Sequence, residues 1–153
     1  MGGSASSAVG PGAEAAALAG ACYSRPAGAP QLGYGTAGFR TVADVLDPVL
    51  YRMGLVAALR SKALGKRVGV MITASHNPER DNGVKLVEPL GEMLLQEWEV
   101  YATRLANTPD ADLGTVLEEI ASSLGAEWSE NERTMHLFLV VWFYVFALER
   151  NEE

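Results

Sequence analysis

Arg67-Val68-Gly69-Val70-Met71-Ile72-Thr73, followed by Ala74-Ser75-His76-Asn77-Pro78, is the stretch on which the reading of the whole chain turns. Its first seven residues are short, rich in β-branched side chains and almost uniformly apolar, as suits a strand covered on both faces of a parallel sheet. The next five are small or polar and end on Asn-Pro, a turn signal. A serine is thereby placed on a tight turn at a strand's carboxyl end, where open α/β sheets put their ligands. Downstream, Asp81-Asn82-Gly83 predicts a second turn, and Val84 to Val87 a shorter strand that carries Lys85.

Helical patterns flank these strands. Asp47 is placed to cap a helix with Pro48 at its first position. Val49, Leu50, Met53, Val56, Ala57 and Arg60 follow near helical spacing, and Gly65 can end it. Glu92 to Asn107 predicts another helix, with Leu94, Leu95, Trp98, Tyr101, Ala102 and Leu105 on one stripe, where Trp98 and Tyr101 read as core packing. Leu113 to Leu124 predicts a third, stopped at Gly125. The order helix, strand, strand, helix predicts an α/β fold, a three-layer α/β/α arrangement around a mixed sheet.

The chain has 153 residues, 48% apolar and 20% charged, with a formal net charge of −7. These values suit one globular domain and disfavour nucleic-acid binding through a basic surface. The charge is uneven: residues 32–107 hold nine basic and eight acidic residues, whereas 108–153 hold two basic and ten acidic. The balanced middle can therefore tolerate an anionic substrate. A lone Cys22 excludes an internal disulfide and a thiolate zinc cluster, which favours a reducing, cytoplasmic setting. No secretory signal is legible, although Met1 to Ser6 fits the loose myristoylation pattern that many Gly/Ser-rich leaders share.

Three segments are expected. Residues 1–31 read as a flexible leader, because 23 of the first 30 are Ala, Gly, Ser or Pro; Glu14 to Ala21 offers at most a transient helix. Residues 32–126 read as the α/β region. Residues 127–153 read as a divergent tail of acidic residues around Met135 to Leu148, fourteen nearly all-apolar residues. That run is too short for a transmembrane span of roughly 20 residues. Its composition suits a strand and its length a helix, and left uncovered it would drive self-association.

The chemistry concentrates at two loops. Gly33-Tyr34-Gly35-Thr36-Ala37-Gly38-Phe39-Arg40 brings three glycines and then a cation, a backbone that can approach a ligand closely. Arg40, Lys85 and Ser75 together would make a phosphate-handling pocket, a nucleophile with two cations to stabilise oxyanion charge. His76 neighbours Ser75 in sequence, but adjacent side chains usually diverge. His136, in the apolar run, reads as a packed or terminal residue, and Glu118-Glu119 as solvated charge.

Thr73-Ala74-Ser75-His76-Asn77-Pro78 resembles the active-serine loop of the α-D-phosphohexomutases, and Gly35-Thr36-Ala37-Gly38-Phe39-Arg40 resembles that family's N-terminal loop. The longer run from Ile72 to Leu94 is similar to the branch of the family that handles N-acetylglucosamine phosphates, and the likeness extends over about Leu32 to Asn107. It implies an incomplete first domain of that fold. It implies interconversion of sugar 6- and 1-phosphates through a bisphosphate, with N-acetylglucosamine phosphate as substrate on the way to UDP-N-acetylglucosamine. Ser75 would be the phosphoryl carrier and, through its phosphate, a ligand of Mg2+. Lys85 would be a phosphate-side cation and proton-transfer candidate, Arg40 a phosphate contact, and His76 and Asn77 shapers of the loop. The family's D-x-D-x-D-R metal loop has no counterpart here beyond the partial echo Asp110-Ala111-Asp112. The chain alone is therefore expected to be inactive, and the alternative is a non-catalytic product that associates through 135–148.

Overall fold

The computed structural model of the protein describes residues 11–74, 77, 78 and 80–125. The tail 127–153 lies outside the described residues, and with it the helix-or-strand question for 135–148. In chain order the elements are α1 (Pro11–Cys22), β1 (Phe39–Val42), α2 (Asp47–Leu64), β2 (Gly69–Ile72), β3 (Asp81–Val87), α3 (Gln96–Asn107) and α4 (Leu113–Ser123). The α/β class holds.

The sheet differs in one respect from the expectation. It runs in the order β1-β3-β2, and both pairings are antiparallel, so the mixed sheet is corrected, among the described residues, to an antiparallel one. Residues 73–80 are too few for the crossover that parallel neighbours require, and they close a hairpin instead. Nor is β2 covered on both faces: Val70 is buried while Met71 is 45% exposed. The uniform apolar run misled because Met71 projects outward and adds hydrophobicity without burial. Asp81-Asn82-Gly83, read as a turn, begins β3 and pairs with Arg40 to Val42.

Side chains alternate across the sheet as the pleat dictates. Phe39, Val84, Leu86 and Val70 enter the core, and Arg40, Val42 and Met71 lie on the other face, all exposed. Helix α2 packs on β2 and β3, and α3 packs on α2. Val49, Met53, Val56, Ala57 and Arg60 are buried, as the helical spacing required. Gly65 closes α2 in the left-handed region (φ 61°), its N–H donating to the carbonyls of Ser61 and Lys62. Asp47, however, is the first helical residue and Leu46 the cap.

Helix α3 starts at Gln96 rather than Glu92, because residues 88–92 fold into a tight turn. Glu88 N–H donates to the Glu92 carbonyl and Gly91 N–H to the Glu88 carbonyl. That turn buries Glu88 against Arg60, with Nε 3.0 Å from Oε1, and the guanidinium carbon lies 4.9 Å from the Trp98 ring centroid. Trp98, Ala102 and Leu105 fill the core stripe as expected, and Leu94 reaches the core from the loop.

The Ala-rich segment read as part of a flexible leader is, from Pro11 to Cys22, a helix packed on α4. Its stability comes from docking rather than from propensity. Ala15 and Ala19 are buried, and Leu113, Leu117, Ile120 and Ala121 supply the facing stripe. A Cβ added at Gly12 would meet the Gly114 carbonyl oxygen at 2.8 Å, so two glycines let the backbones cross. Composition alone hides such a partner.

After α1 the chain is latched to the core by Asp110. Its carboxylate accepts the Ser24 hydroxyl (2.7 Å), the Arg25 backbone N–H (3.1 Å) and the guanidinium of Arg52, which is fully buried. Burial pulls the Asp110 carboxyl upward, but those three donors hold it below the usual carboxylate range. A group whose folded pKa is depressed contributes stability above its unfolded pKa and loses it as pH falls through the folded value. The thermal midpoint should therefore fall more steeply below about pH 4 in the wild type than in Asp110→Asn. Parallel acid profiles in scanning calorimetry would remove Asp110 from that role.

Candidate active site

The serine loop springs from the β2–β3 hairpin. Ser75 and His76 lie outside the described residues, but the loop's framework is defined on both sides of them. Thr73 N–H donates to the Gly83 carbonyl (3.0 Å), Asn77 N–H to Ala74 (3.1 Å) and Asp81 N–H to Pro78 (2.9 Å). Ala43 N–H also donates to the Arg80 carbonyl (2.7 Å), tying the loop's far end to the segment after β1. Asn77, read as a loop-shaping residue, is exposed within this turn.

Arg40 and Lys85 lie on adjacent strands. Arg40 pairs directly with Gly83, and Lys85 stands two residues further along β3. The two cations therefore project from one face of adjacent strands, at the diagonal separation of roughly 7–8 Å for such positions. Two glycines make room for their stems. A Cβ added at Gly38 would lie 2.8 Å from Lys85 Cγ and would penetrate the Val84 carbonyl oxygen, and Gly38 is left-handed (φ 69°). A Cβ added at Gly83 would lie 2.7 Å from the Phe39 carbonyl oxygen, 3.2 Å from Arg40 Cγ and 3.4 Å from the Thr73 carbonyl oxygen. Backbone, Arg40 stem and the root of the serine loop converge at that one residue. The Asp-Asn-Gly signature drew attention to Gly83 as a turn residue; its part is close approach between strands.

The sequence reading missed the strap that leads into the glycine loop. Leu32 N–H donates to Asn107 Oδ1 (2.9 Å) while Asn107 Nδ2 donates to the Leu32 carbonyl (2.7 Å). Tyr34 N–H donates to Thr103 Oγ1 (3.0 Å), and the Tyr34 hydroxyl accepts Leu86 N–H (2.8 Å). Nothing in residue spacing joins position 34 to 86 or 103, so no sequence pattern advertised these contacts.

The metal reading meets a limit. Asp110, the partial echo of an acidic metal loop, is committed to Ser24, Arg25 and Arg52. Among the described residues no three His, Cys, Asp or Glu side chains gather to hold a metal ion. The described residues therefore do not fit a magnesium site by themselves. Among them, too, no helix is long and apolar enough to cross a membrane.

Residues 35–110 match the family described as phosphoglucomutase/phosphomannomutase, alpha/beta/alpha domain I. Through these residues the chain belongs to the phosphohexomutases, as a first domain of that fold. Within the family it is similar to phosphoacetylglucosamine mutases. It is 63% identical to the pig protein over 90 residues (59% of this chain, 17% of the relative) and 55% identical to the mouse protein over 107 residues (70% and 20%). Among solved structures it is similar to Aspergillus fumigatus N-acetylphosphoglucosamine mutase in complex with GlcNAc-6P and magnesium. There the TM-score is 0.68 at 50% identity, covering 78% of this chain and 22% of that one. The same fungal enzyme in complex with glucose 1,6-bisphosphate gives a TM-score of 0.69 at 50% identity, covering 74% and 21%. The chain thus spans about a fifth of the length of these relatives.

Proposed function

We propose that the chain is the phosphoserine-bearing portion of a phosphoacetylglucosamine mutase, an intramolecular phosphotransferase that interconverts N-acetylglucosamine 6-phosphate and 1-phosphate through a bisphosphate. The observation that supports this reading is Arg40 and Lys85, two cations on one sheet face, near Thr73, where the connection from β2 to β3 begins. Phosphoryl transfer asks little covalent chemistry of a protein and much positioning and charge neutralisation. Ser75 holds the phosphoryl group and passes it to a sugar hydroxyl. Arg40 and the Lys85 ammonium offset the charge that spreads over the transferred oxygens. As the phosphorus–oxygen bond to Ser75 breaks, Lys85 is the candidate to donate a proton to the serine oxygen, while the sugar hydroxyl gives its proton to solvent. His76 and Asn77 shape the loop. A magnesium ion bound through the Ser75 phosphate would draw its other ligands from beyond the described residues. Turnover therefore requires more than the described residues supply, and the setting that fits this role is the cytoplasm.

The test is intact-mass and peptide mass spectrometry of the chain purified from cells. Phosphate is expected on Ser75 and lost in Ser75→Ala. A chain wholly unmodified at Ser75, with phosphate elsewhere or nowhere, counts against its role as carrier.

A further inference from the structure

We propose that Tyr34 is a positioning residue of this site, pinning the Gly35–Gly38 loop against the strand that carries Lys85; the inference rests on the phosphate-handling reading above. It follows from the register of β1 on β3. Thr41 stands opposite Asn82 and Phe39 opposite Val84, and the bond from Ala43 N–H to the Arg80 carbonyl continues the series at its outer end. Hydrogen-bonded rungs of an antiparallel pair recur at every second residue. The next rung inward would join Leu86 to residue 37. The chain has left the strand there, however, in a turn closed by Gly38 N–H and the Gly35 carbonyl at 2.7 Å.

Leu86 is buried, and a buried N–H without an acceptor is costly. Tyr34 supplies that acceptor with its phenol oxygen, at 2.8 Å. The side chain thus stands in for the strand carbonyl that the glycine turn removed. Its ring meets Phe39 edge-on, with centroids 5.1 Å apart. Its own backbone N–H is held by Thr103 on α3. Burial pushes the Tyr34 phenol upward, the Leu86 N–H opposes this and the Glu99 charge adds to it, so the phenol stays protonated at neutral pH.

The glycine loop is consequently held at both ends, by Tyr34 before it and by Phe39 in β1 after it. Gly38 lies under the Lys85 stem, so slack at residues 35–38 passes directly to that cation. Removing the hydroxyl leaves the core-facing ring in place and frees the loop. A phosphate ligand would then have to order the loop as it binds, which lowers affinity.

The experiment uses the full chain, labelled with 15N, in four forms: wild type, Tyr34→Phe, Thr103→Val and Thr103→Ser. Amide hydrogen exchange is read at each residue, and N-acetylglucosamine 6-phosphate is titrated. In Tyr34→Phe, exchange at Gly38 should rise about tenfold while Val56 in α2 and Val70 in β2 keep wild-type rates. Affinity for the sugar phosphate should fall about fivefold, the equilibrium equivalent of one net hydrogen bond. Thr103→Val should act in the same direction, and Thr103→Ser, which retains the acceptor for Tyr34 N–H, should restore wild-type behaviour. Unchanged exchange at Gly38 in Tyr34→Phe overturns the inference, and so does a rise spread evenly over α2 and the sheet. If the wild type does not bind the sugar phosphate, the phosphate-handling reading fails, while the exchange comparison still decides the part played by Tyr34.

Discussion

Alanine at position 38 is expected to destroy the glycine loop and to destabilise the fold by more than about 3 kcal/mol. Two independent costs combine. An L-residue held in the left-handed region carries about 1–2 kcal/mol of strain, and Gly38 sits there at φ 69°. The added methyl would also penetrate the Val84 carbonyl oxygen, which belongs to the central strand and cannot swing aside as a side chain tip would. Relief requires β1 to part from β3, and with it Phe39 to leave the core. Urea unfolding of Gly38→Ala beside Gly33→Ala separates this from a general glycine effect, because nothing lies within 4 Å of a Cβ added at Gly33. A Gly38→Ala midpoint matching that of Gly33→Ala would refute the account.

Arg52→Met is expected to cost about 3–5 kcal/mol, the range for removing one partner of a buried ion pair. The guanidinium is fully buried. It donates to Asp110 and to the carbonyls of Pro48 (3.0 Å), Thr108 (3.3 Å) and Tyr23 (3.4 Å), joining α2, the segment after α3 and the chain that leaves α1. Methionine fills much of the volume and satisfies none of these groups. The exposed Arg104–Glu119 pair between α3 and α4 is the control, since such pairs contribute at most about 1 kcal/mol. Denaturant unfolding of Arg52→Met and Arg104→Met should therefore differ by at least about 2 kcal/mol. Equal losses would mean that Arg52 is no keystone.

The contrast between these two sites shows which parts of the molecule sequence could carry. Helix α2 was legible because burial repeats along it at helical spacing, from Val49 to Arg60, and because Gly65 ends it in the left-handed conformation that glycine adopts without strain. The end of α4 at Ser123 was legible for the same reason, since Gly125, just beyond it, is left-handed (φ 63°). Arg40 and Lys85 were singled out from chemistry alone, as two cations near a serine; the strand pairing that sets them on one sheet face was not legible. Strand direction was not legible. Hydrophobicity records whether a residue avoids water, and Met71 is apolar yet exposed, so a hairpin strand passed for a doubly covered one. The strap was invisible because Tyr34, Thr103 and Asn107 act through single hydrogen bonds between segments far apart in sequence. Asp110 likewise offered only a carboxylate at a suggestive spacing. Its partners, Ser24, Arg25 and Arg52, lie more than fifty residues away.

The antiparallel pairing of β2 with β3 has a kinetic consequence. Because residues 73–80 join neighbouring strands, closing the serine loop costs only the entropy of a short segment, which grows as (3/2)RT ln n. Contacts so local in sequence form early in folding, whereas the Asp110 latch and the α1–α4 crossing must wait for most of the described chain to collapse. The framework on which Ser75 rides is thus among the first parts of the molecule to take shape. The glycine loop, which needs Tyr34, Thr103 and Leu86 at once, is among the last.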